Sequence, residues 1–360
     1  MDKGMVLILY VDVSSGDDYL VQPAIGQYLS TYFITNPKFQ DEVIFFYRPK
    51  TPIIICGVNQ NVYSEVNLDY CREHGIKIAR RGAGGGAVYV DPGNLTYCFV
   101  DNDNGHNYLN FKHYAQNAIL TLKQLGVDAA MTGRNDLTVD GKKFSGMSAL
   151  KIGNRFSTGG TLMVDVDLDN ATQALRPPKA KMISKGVKSV HSRVTNLRPY
   201  FSAPYQAITL PELQTRFLKN LFKVSDLSDI PTYVMTKDDW QEIEKAATAK
   251  YGNPDWVMGK QTHDTAYHSR HFSGIGTVEI SFTVSHGIVT HAKIFGDFNK
   301  MNGNLGAIER ALVGAPYTHA SLTEAFVQGR VAENIGAIEP DALADTMLGS
   351  RYADKANINQ

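Results

Sequence analysis

The sequence has no excess of charge of either sign and few cysteines. Its 360 residues include 36 basic and 36 acidic ones, so the formal net charge is zero. A balanced chain argues against a general nucleic-acid binder. The three cysteines, Cys56, Cys71 and Cys98, form no C-x-x-C pair. This usage is typical of a reducing compartment and indicates no structural zinc site.

Long hydrophobic runs are also missing. At the start of the chain, Asp2 and Lys3 precede a short apolar run and then Asp12. This segment is too short and too acidic for a signal peptide, and no other stretch approaches membrane-spanning length. We therefore expect a cytoplasmic protein without a membrane span. With 43% apolar residues, the chain is long enough for about two globular domains.

A glycine-rich stretch from Arg80 to Asn94 is the first feature that points to a function. Four glycines, Gly82 and Gly84 to Gly86, fall within five positions directly behind Arg80 and Arg81. The backbone N–H groups of such a loop can surround anionic oxygens, and the adjacent guanidinium groups supply charge and bidentate hydrogen bonds. The stretch therefore predicts an anion-binding loop.

The same stretch satisfies the dinucleotide-binding fingerprint G-x-G-x-x-A from Gly82 to Ala87. That fingerprint works only where a helix begins at the loop and its N-terminus holds the pyrophosphate. Here the β-prone Val88-Tyr89-Val90 follows, and then the turn-forming pair Pro92-Gly93. We predict a strand, a loop and a second strand, which disfavours a Rossmann fold. A glycine-rich hairpin without a ligand is the remaining alternative.

Strands and helices alternate over the first half of the chain, which is an α/β pattern. The hydrophobic pattern predicts strands at 6–11, 43–47, 52–58 and 95–100, and helices at 23–34, 68–74, 108–125, 213–222 and 240–250. A hairpin (277–284 and 288–295) and three helices (303–313, 321–328 and 340–348) follow. We expect a large domain over 1–250, a linker over 251–260, a small α/β domain over 261–345 and a tail over 346–360.

A second informative stretch runs from Asn135 to Gly146. Asp140-Gly141 is predicted to form the turn of a hairpin, which places Lys142 and Lys143 on the outgoing strand. Strand alternation points the two lysines to opposite faces, so one can be buried in a site while the other is solvated. The stretch is no P-loop, because no glycine stands five residues before Gly141.

These motifs resemble those of lipoate protein ligases. The resemblance includes the glycine loop, the N-D-L element at Asn135-Asp136-Leu137 and the K-x-S-G element at Lys143-Phe144-Ser145-Gly146. It continues through Gly160-Thr161-Leu162, Lys185-Gly186, Ser192 to Leu197, Gly252-x-Pro254-x-Trp256 and Gly296-Asp297-Phe298. The order and spacing of the elements carry it over nearly the whole chain.

The resemblance implies the biotin and lipoate ligase fold: an α/β (α+β) catalytic domain with a mixed sheet, followed by the small accessory domain of the long form. It implies that ATP, with Mg²⁺, converts lipoate to lipoyl-AMP and releases pyrophosphate. The lipoyl group then passes to a lysine of an acceptor protein domain. Acceptors of the glycine cleavage H protein or 2-oxoacid dehydrogenase E2 type are expected.

The resemblance also implies roles for individual residues. Lys143 would be the catalytic cation, and Asn135 and Asp136 would hold the nucleotide, with Asp136 helping to position Mg²⁺. The other substrate- and nucleotide-binding residues that it implies are Arg80, Arg81, Gly84, Gly85, Gly86, Ala87, Val88, Tyr89, Asn94, Ser148, Gly160, Thr161 and Lys185. A fixed cation and backbone donors would stabilise the negative charge that builds around the α-phosphate.

Three positions depart from the family pattern. Ala83 stands where serine is common, and Val90 and Gly159 stand where histidine is common, so each lacks a side-chain hydrogen-bond donor. A non-catalytic protein that binds lipoyl-adenylate is therefore an alternative, as is a lipoyl or octanoyl transferase. Biotin ligase is disfavoured because its G-R-G-R-x-x-x-x-W signature is absent.

Basic residues and histidines are unevenly distributed. The stretch 170–200 has no acidic residue, which indicates either a solvated face or a flexible basic lid that meets ATP or an acidic acceptor domain. Five of the ten histidines lie between His263 and His291. Their spacing matches no zinc site.

Overall fold

We describe the chain from a computed structural model, which covers residues 8–175, 193–259, 262–299 and 303–349. Within these ranges, no helix is both long enough and apolar enough to cross a membrane. The predicted mixed α/β architecture is confirmed, because strands and helices interleave along the large N-terminal part and a smaller sheet with its own helices follows.

An eight-stranded mixed sheet is the main layer of the N-terminal part. In spatial order its strands are β11 (Thr232–Val234), β1 (Ile8–Asp12), β2 (Glu42–Tyr47), β6 (Asn94–Asn102), β10 (Arg155–Met163), β9 (Lys142–Ile152), β8 (Asp136–Val139) and β7 (Ala130–Thr132). β1 runs parallel to both of its neighbours, and the other pairs are antiparallel.

A second sheet of three strands carries the glycine loop. Its central strand is β3 (Ile53–Cys56), with β4 (Lys77–Arg80) parallel on one side and β5 (Val88–Val90) antiparallel on the other. The short helices α2 (Val62–Glu65), α3 (Leu68–Glu73) and α5 (Leu168–Ala174) pack against it in one apolar cluster.

Helices cover both faces of the main sheet. Residues of α4 (Phe111–Gln124) and α6 (Leu210–Phe222) form one core cluster with one face, and residues of α1 (Pro23–Thr35) and α7 (Lys237–Lys250) form another with the opposite face. Both α6 and α7 begin three residues earlier than predicted. Capping boxes at Thr209 and Thr236 set these starts, because each threonine bonds the backbone of the acidic residue three positions later.

The small C-terminal part has a core of its own. Three antiparallel strands, β12 (Ala266–Phe272), β13 (Gly276–Ser285) and β14 (Ile288–Gly296), lie in that spatial order. Four helices pack on the sheet: α9 (Leu305–Leu312), α10 (His319–Gln328), α11 (Val331–Asn334) and α12 (Pro340–Met347). The predicted hairpin is present, and its turn residues His286 and Gly287 have positive φ.

The connection between the two parts is more structured than a linker. The stretch expected to be a linker, 251–260, contains the helix α8 (Pro254–Met258), whose backbone accepts hydrogen bonds from Arg80 of β4. Tyr251 is buried. This stretch therefore packs on the large part of the chain, and the domain bounds themselves stay a prediction.

Candidate active site

The glycine loop leaves β4 and returns as β5, so the predicted order of strand, loop and strand is present. No helix begins in the loop, which lies wholly within the described residues, and this rules out the Rossmann arrangement. Gly85 has φ of +92°, a conformation that favours glycine. A Cβ at Gly84 would lie only 2.6 Å from the carbonyl oxygen of Phe298, so this glycine permits a close approach.

Arg81 holds the loop together from within. Its guanidinium donates to the carbonyl oxygens of Gly84 at 2.7 Å, Gly86 at 2.9 Å and Ile55 at 3.1 Å. Burial lowers the pKa of Arg81 to about 10, which still leaves the group charged at neutral pH. Its positive charge therefore lies next to the backbone of the loop, where it favours the binding of an anion.

Arg80 points in a different direction from the one expected. Its side chain is buried and donates to the carbonyl oxygens of Gly57 at 2.8 Å, Gln60 at 2.7 Å and Trp256 at 2.8 Å. Burial also lowers the pKa of this guanidinium. The geometry disfavours direct contact between Arg80 and a ligand, a role that stays a prediction.

The two neighbouring lysines differ in their surroundings, as the hairpin predicts. Asp140 and Gly141 form the turn with φ of 49° and 71°. Lys142 is exposed, whereas Lys143 is half-buried and its Nζ lies 2.7 Å from Oδ1 of Asp136. A Cβ at Gly146 would lie 2.8 Å from that Nζ, so the glycine of the K-x-S-G element leaves room for the ammonium group.

Strand β9 connects the lysine to the glycine loop. Gly146 lies beside Lys143, and four residues later the side chain of Leu150 lies 3.7 Å from the Cβ position of Gly82. Leu150 and Ala83 also share a core cluster. The two motifs are therefore at opposite ends of one strand segment.

A half-exposed strip lies along this segment. Ser148 on β9 is directly opposite Gly159 on β10, and Thr161 shares that face and is opposite Thr96 on β6. Residues at these four positions are half-exposed, while their chain neighbours on β9 and β6 are buried. The other face of these strands is packed in the core. The half-exposed strip is therefore the surface of these strands on which a ligand can lie.

The remaining residues implied by the resemblance have varied positions. Asn135 fastens the N-D-L turn to β9, because its Nδ2 donates to the carbonyl oxygen of Met147 at 2.6 Å. Asn94 is buried, and its Oδ1 accepts no hydrogen bond from the described residues. Gly160 is buried, and a Cβ at this position would lie 2.9 Å from Ser145 Oγ.

Three residues at the end of the glycine loop differ in their exposure to solvent. Ala87 and Val88 are half-exposed, whereas Tyr89 is buried within β5. The first two are therefore accessible to a ligand at the loop. Lys185 and most of the basic stretch lie outside the described residues.

The residues at the three positions that depart from the family pattern are all closely packed. Ala83 is buried against Leu150, and Val90 joins Ile53 in the core of the small sheet. A Cβ at Gly159 would lie 2.0 Å from the carbonyl oxygen of Tyr97. A side chain at Gly159 would therefore require a backbone shift.

The C-terminal part also reaches this site. A Cβ at Gly84 would lie 2.7 Å from Cα of Asn299, and the amide of Gly296 donates to the carbonyl oxygen of Asn59 at 2.9 Å. The segment after β14 thus lies against the glycine loop. The Gly296-Asp297-Phe298 element supplies these contacts, and its position at the glycine loop was not predicted from the sequence.

The carboxylate of Asp136 was expected to help position Mg²⁺. In the described ranges, no group of three or more histidine, cysteine or acidic side chains is arranged to hold a metal ion. Mg²⁺ commonly binds through one or two carboxylates together with substrate phosphates and water. In the structure Oδ1 of Asp136 is paired with the ammonium group of Lys143, so a role for Asp136 as a ligand of Mg²⁺ stays a prediction.

Together, fold and site define a class of protein in which a mixed sheet carries a glycine loop and, along one of its strands, a lysine–aspartate pair. Family models agree with this class: the lipoyl protein ligase A/B catalytic domain matches residues 18–222, and the bacterial lipoate protein ligase C-terminus matches residues 264–347. The chain therefore belongs to the lipoate–protein ligase family.

Similar proteins cover nearly the whole chain. The lipoate–protein ligase LplJ of Bacillus subtilis is 33% identical over 94% of this chain and 99% of its own. Lipoate–protein ligase 1 of Staphylococcus aureus is 35% identical over 91% of this chain and 97% of its own. The family and the enzyme class implied by the motifs are thereby confirmed.

Solved structures show the same fold. LipL1 of Plasmodium falciparum, in complex with lipoate, aligns with a TM-score of 0.70 and 23% identity over 96% of this chain and 99% of that chain. A lipoate–protein ligase A bound with ATP aligns with a TM-score of 0.53 and 21% identity over 71% of this chain and 99% of that chain. The expected biotin and lipoate ligase type of fold is therefore present.

Proposed function

We propose that the protein uses ATP to convert lipoate to lipoyl-AMP and then transfers the lipoyl group to a lysine of an acceptor domain. One observation carries the proposal. A glycine loop backed by Arg81 and a half-buried Lys143 lie at the two ends of one segment of β9, beside the half-exposed strip. Such a strip can hold a carboxylate and a nucleotide next to each other.

The two steps of the proposed reaction require both the glycine loop and Lys143. In the first step a carboxylate oxygen of lipoate attacks the α-phosphorus, and the bond to pyrophosphate breaks. In the second step the acceptor amine attacks the lipoyl carbonyl carbon, the bond to AMP breaks, and the amine loses a proton. Both steps concentrate negative charge at the α-phosphate or carbonyl oxygen, which a fixed ammonium group and backbone donors stabilise.

Lys143 is well placed for the role of that ammonium group. Its backbone amide donates to the carbonyl oxygen of Arg193 at 2.8 Å, and its carbonyl oxygen accepts from the amide of Thr195 at 2.9 Å. Asp136 holds its side chain. A cation fixed in this way needs little rearrangement when charge develops on the ligand. Mg²⁺, when bound with ATP, would add further neutralisation of the phosphates.

For the acceptor, we propose a lipoyl domain of the 2-oxoacid dehydrogenase E2 type, with the glycine cleavage H protein as a second candidate. A bipartite lipoate protein ligase from Thermoplasma acidophilum, described together with its E2 lipoyl domain, has a TM-score of 0.56 to this chain at 23% identity. The three unpaired cysteines are in keeping with the reducing environment of the cytoplasm, where we place the enzyme.

For the C-terminal part, we propose that it closes over ATP during activation and moves away when the acceptor docks. Its contacts with the glycine-loop sheet use backbone groups of Gly296 and Asn59, and the hydroxyls of Tyr267 and Ser64, which lie 3.4 Å apart. Polar interfaces of this kind are typical of domains that separate and rejoin.

Pyrophosphate release tests the function most simply. The purified protein is mixed with lipoate and ATP, and pyrophosphate is measured with a coupled assay. We expect release that requires both substrates. A non-catalytic binding protein would bind lipoyl-AMP without releasing pyrophosphate, and this outcome would contradict the proposal.

A further inference from the structure

Residues 250–258, which we call the clamp, hold Arg80, the last residue of β4 before the glycine loop. The indole Nε1 of Trp256 donates to the backbone carbonyl oxygen of Arg80 at 3.0 Å. In return, Nε of Arg80 donates to the backbone carbonyl oxygen of Trp256 at 2.8 Å. Each residue therefore bonds the backbone of the other, across 176 positions in the sequence.

The reciprocal pair also completes the short helix α8. The last carbonyl groups of a helix accept no hydrogen bond from the helix itself, and the side chain of a nearby arginine can donate to them. Arg80 does so for Trp256 and for Val257, whose carbonyl oxygen is 3.1 Å from Nε. Gly259 then ends the helix with φ of +68°. The buried guanidinium is thus part of the clamp.

Tyr251 holds a second point of the loop. It is buried, and its hydroxyl oxygen lies 3.2 Å from Oγ1 of Thr31 and 2.9 Å from where a Cβ of Gly82 would be. Its ring packs edge-on against Trp256 with ring centroids 5.6 Å apart. The ammonium group of Lys250 lies 4.7 Å from the centroid of the Trp256 ring, an arrangement that favours a cation over an indole.

We infer that Trp256 and Tyr251 are positioning residues for the ligand-binding loop. They fix Arg80 and Gly82, so that the glycines beyond them keep one arrangement of backbone N–H groups. The side chains of the clamp touch the loop and need not touch the ligand. This inference rests on the proposed function, because it takes the loop to bind lipoate and its adenylate.

The chain offers a matched control for a test of Trp256. It has only two tryptophans, and the other, Trp240, is buried in α7 with its Nε1 3.0 Å from Ser15 Oγ. Trp256→Phe and Trp240→Phe each remove one indole donor, but only the first removes a bond to the loop. The two substitutions therefore separate loop positioning from loss of stability.

Steady-state kinetics give the first readout. For Trp256→Phe we expect the KM for lipoate to rise about three- to tenfold, as for the loss of one hydrogen bond, with kcat within about twofold of wild type. For Trp240→Phe we expect both constants to stay within about twofold. Equal KM values in the two folded variants would overturn the inference.

Fluorescence gives a readout that also serves if Trp256→Phe does not fold. Trp240→Phe leaves Trp256 as the sole tryptophan, and its emission should change when lipoate is added, because its indole is bonded to the loop. Unchanged emission at saturating lipoate would overturn the inference. Pyrophosphate release by wild type reports on the proposed function separately, so release with no effect of Trp256→Phe would reject the clamp alone.

Discussion

The two neighbouring lysines allow a direct test of the role of the positive charge on Lys143, with Lys142 as the control. Lys143 is held at Asp136 beside the strip, while Lys142 is exposed. We expect Lys143→Ala to reduce lipoyl-AMP formation by a factor of about 10² to 10³, as for removal of one group that stabilises developing charge. Lys142→Ala should change the rate by less than about threefold. Comparable losses in both variants, each shown to be folded by circular dichroism, would mean that Lys143 has no special role.

The cysteines separate ATP-driven ligation from transfer through a thioester. All three are buried and unpaired. Burial raises the pKa of Cys56 to about 12 and that of Cys98 to about 11, and it raises the pKa of Cys71 as well. A thiol becomes a good nucleophile only when its pKa is lowered. These three are therefore poor nucleophiles at neutral pH.

Replacement of the three cysteines by serine tests this conclusion. We expect the triple variant Cys56→Ser, Cys71→Ser and Cys98→Ser, if folded, to keep ATP-dependent ligation and to form no acyl adduct by intact mass. The decisive contrary result would have two parts: an adduct on wild type that hydroxylamine removes, and an inactive triple variant. That result would favour a covalent acyl-enzyme.

At the scale of an element, the first residue of β2 gives a pH-dependent prediction. Burial, and next the charge of Asp101, raises the pKa of the Glu42 carboxyl from 4.5 to about 7. Because the folded-state pKa lies above the unfolded value, the protonated carboxyl favours the folded state. This contribution is complete below about pH 4.5 and is lost as the pH rises through 7.

Glu42→Gln should therefore stabilise the protein only where the carboxylate is charged. At pH 8.5 we expect a gain of about 1–2 kcal/mol in the free energy of unfolding, after a discount for solvent screening, and little change at pH 4.5. Urea unfolding at the two pH values measures this difference. Glu73→Gln, on the exposed end of α3, is the control. An equal gain in the free energy of unfolding at both pH values would contradict the raised pKa of Glu42.

Local signals explain which elements could be predicted from the sequence. The turn at Asp140-Gly141 and the helix starts at Leu68 and Pro23 depend on neighbouring residues alone, and all three are present. The capping boxes at Thr209 and Thr236 were also visible in the sequence, and they would have placed α6 and α7 correctly.

The site was predictable in part, because some of its contacts are local and others are distant. The opposite surroundings of Lys142 and Lys143 follow from strand alternation and the hairpin. The burial of Arg80 does not, because it depends on Trp256, which is 176 positions away. Likewise, the close approach of Phe298 to Gly84 depends on how two parts of the chain with distinct hydrophobic cores meet.

At the scale of the whole molecule, truncation tests the role of the C-terminal part. Because Tyr251 and α8 pack on the large part of the chain, the informative chain ends at Gly259 and keeps the clamp. Provided that it folds, we expect this chain to fail in making lipoyl-AMP yet to transfer the lipoyl group from supplied lipoyl-AMP. Formation of the adenylate at the full rate would show that the C-terminal part takes no part in activation.

A chain ending at Lys250 is the companion to this truncation, because it also lacks all of the clamp except Lys250. We expect it to transfer from supplied lipoyl-AMP more weakly than the chain ending at Gly259, since the glycine loop has lost the contacts of Trp256 and Tyr251. Binding of lipoate by each truncated chain, measured by calorimetry, checks the cause. Equal transfer by the two chains would leave the clamp without a role in that step.

The intact mass of an acceptor domain is the most direct test of ATP-dependent lipoylation by this protein. A purified E2-type lipoyl domain is incubated with the protein, lipoate, ATP and Mg²⁺, and its mass is read before and after. We expect a gain of one lipoyl group on one lysine, no gain when ATP is omitted, and a gain without ATP when lipoyl-AMP is supplied. An acceptor modified equally well by lipoate without ATP, or one never modified even with lipoyl-AMP, would contradict the proposed function.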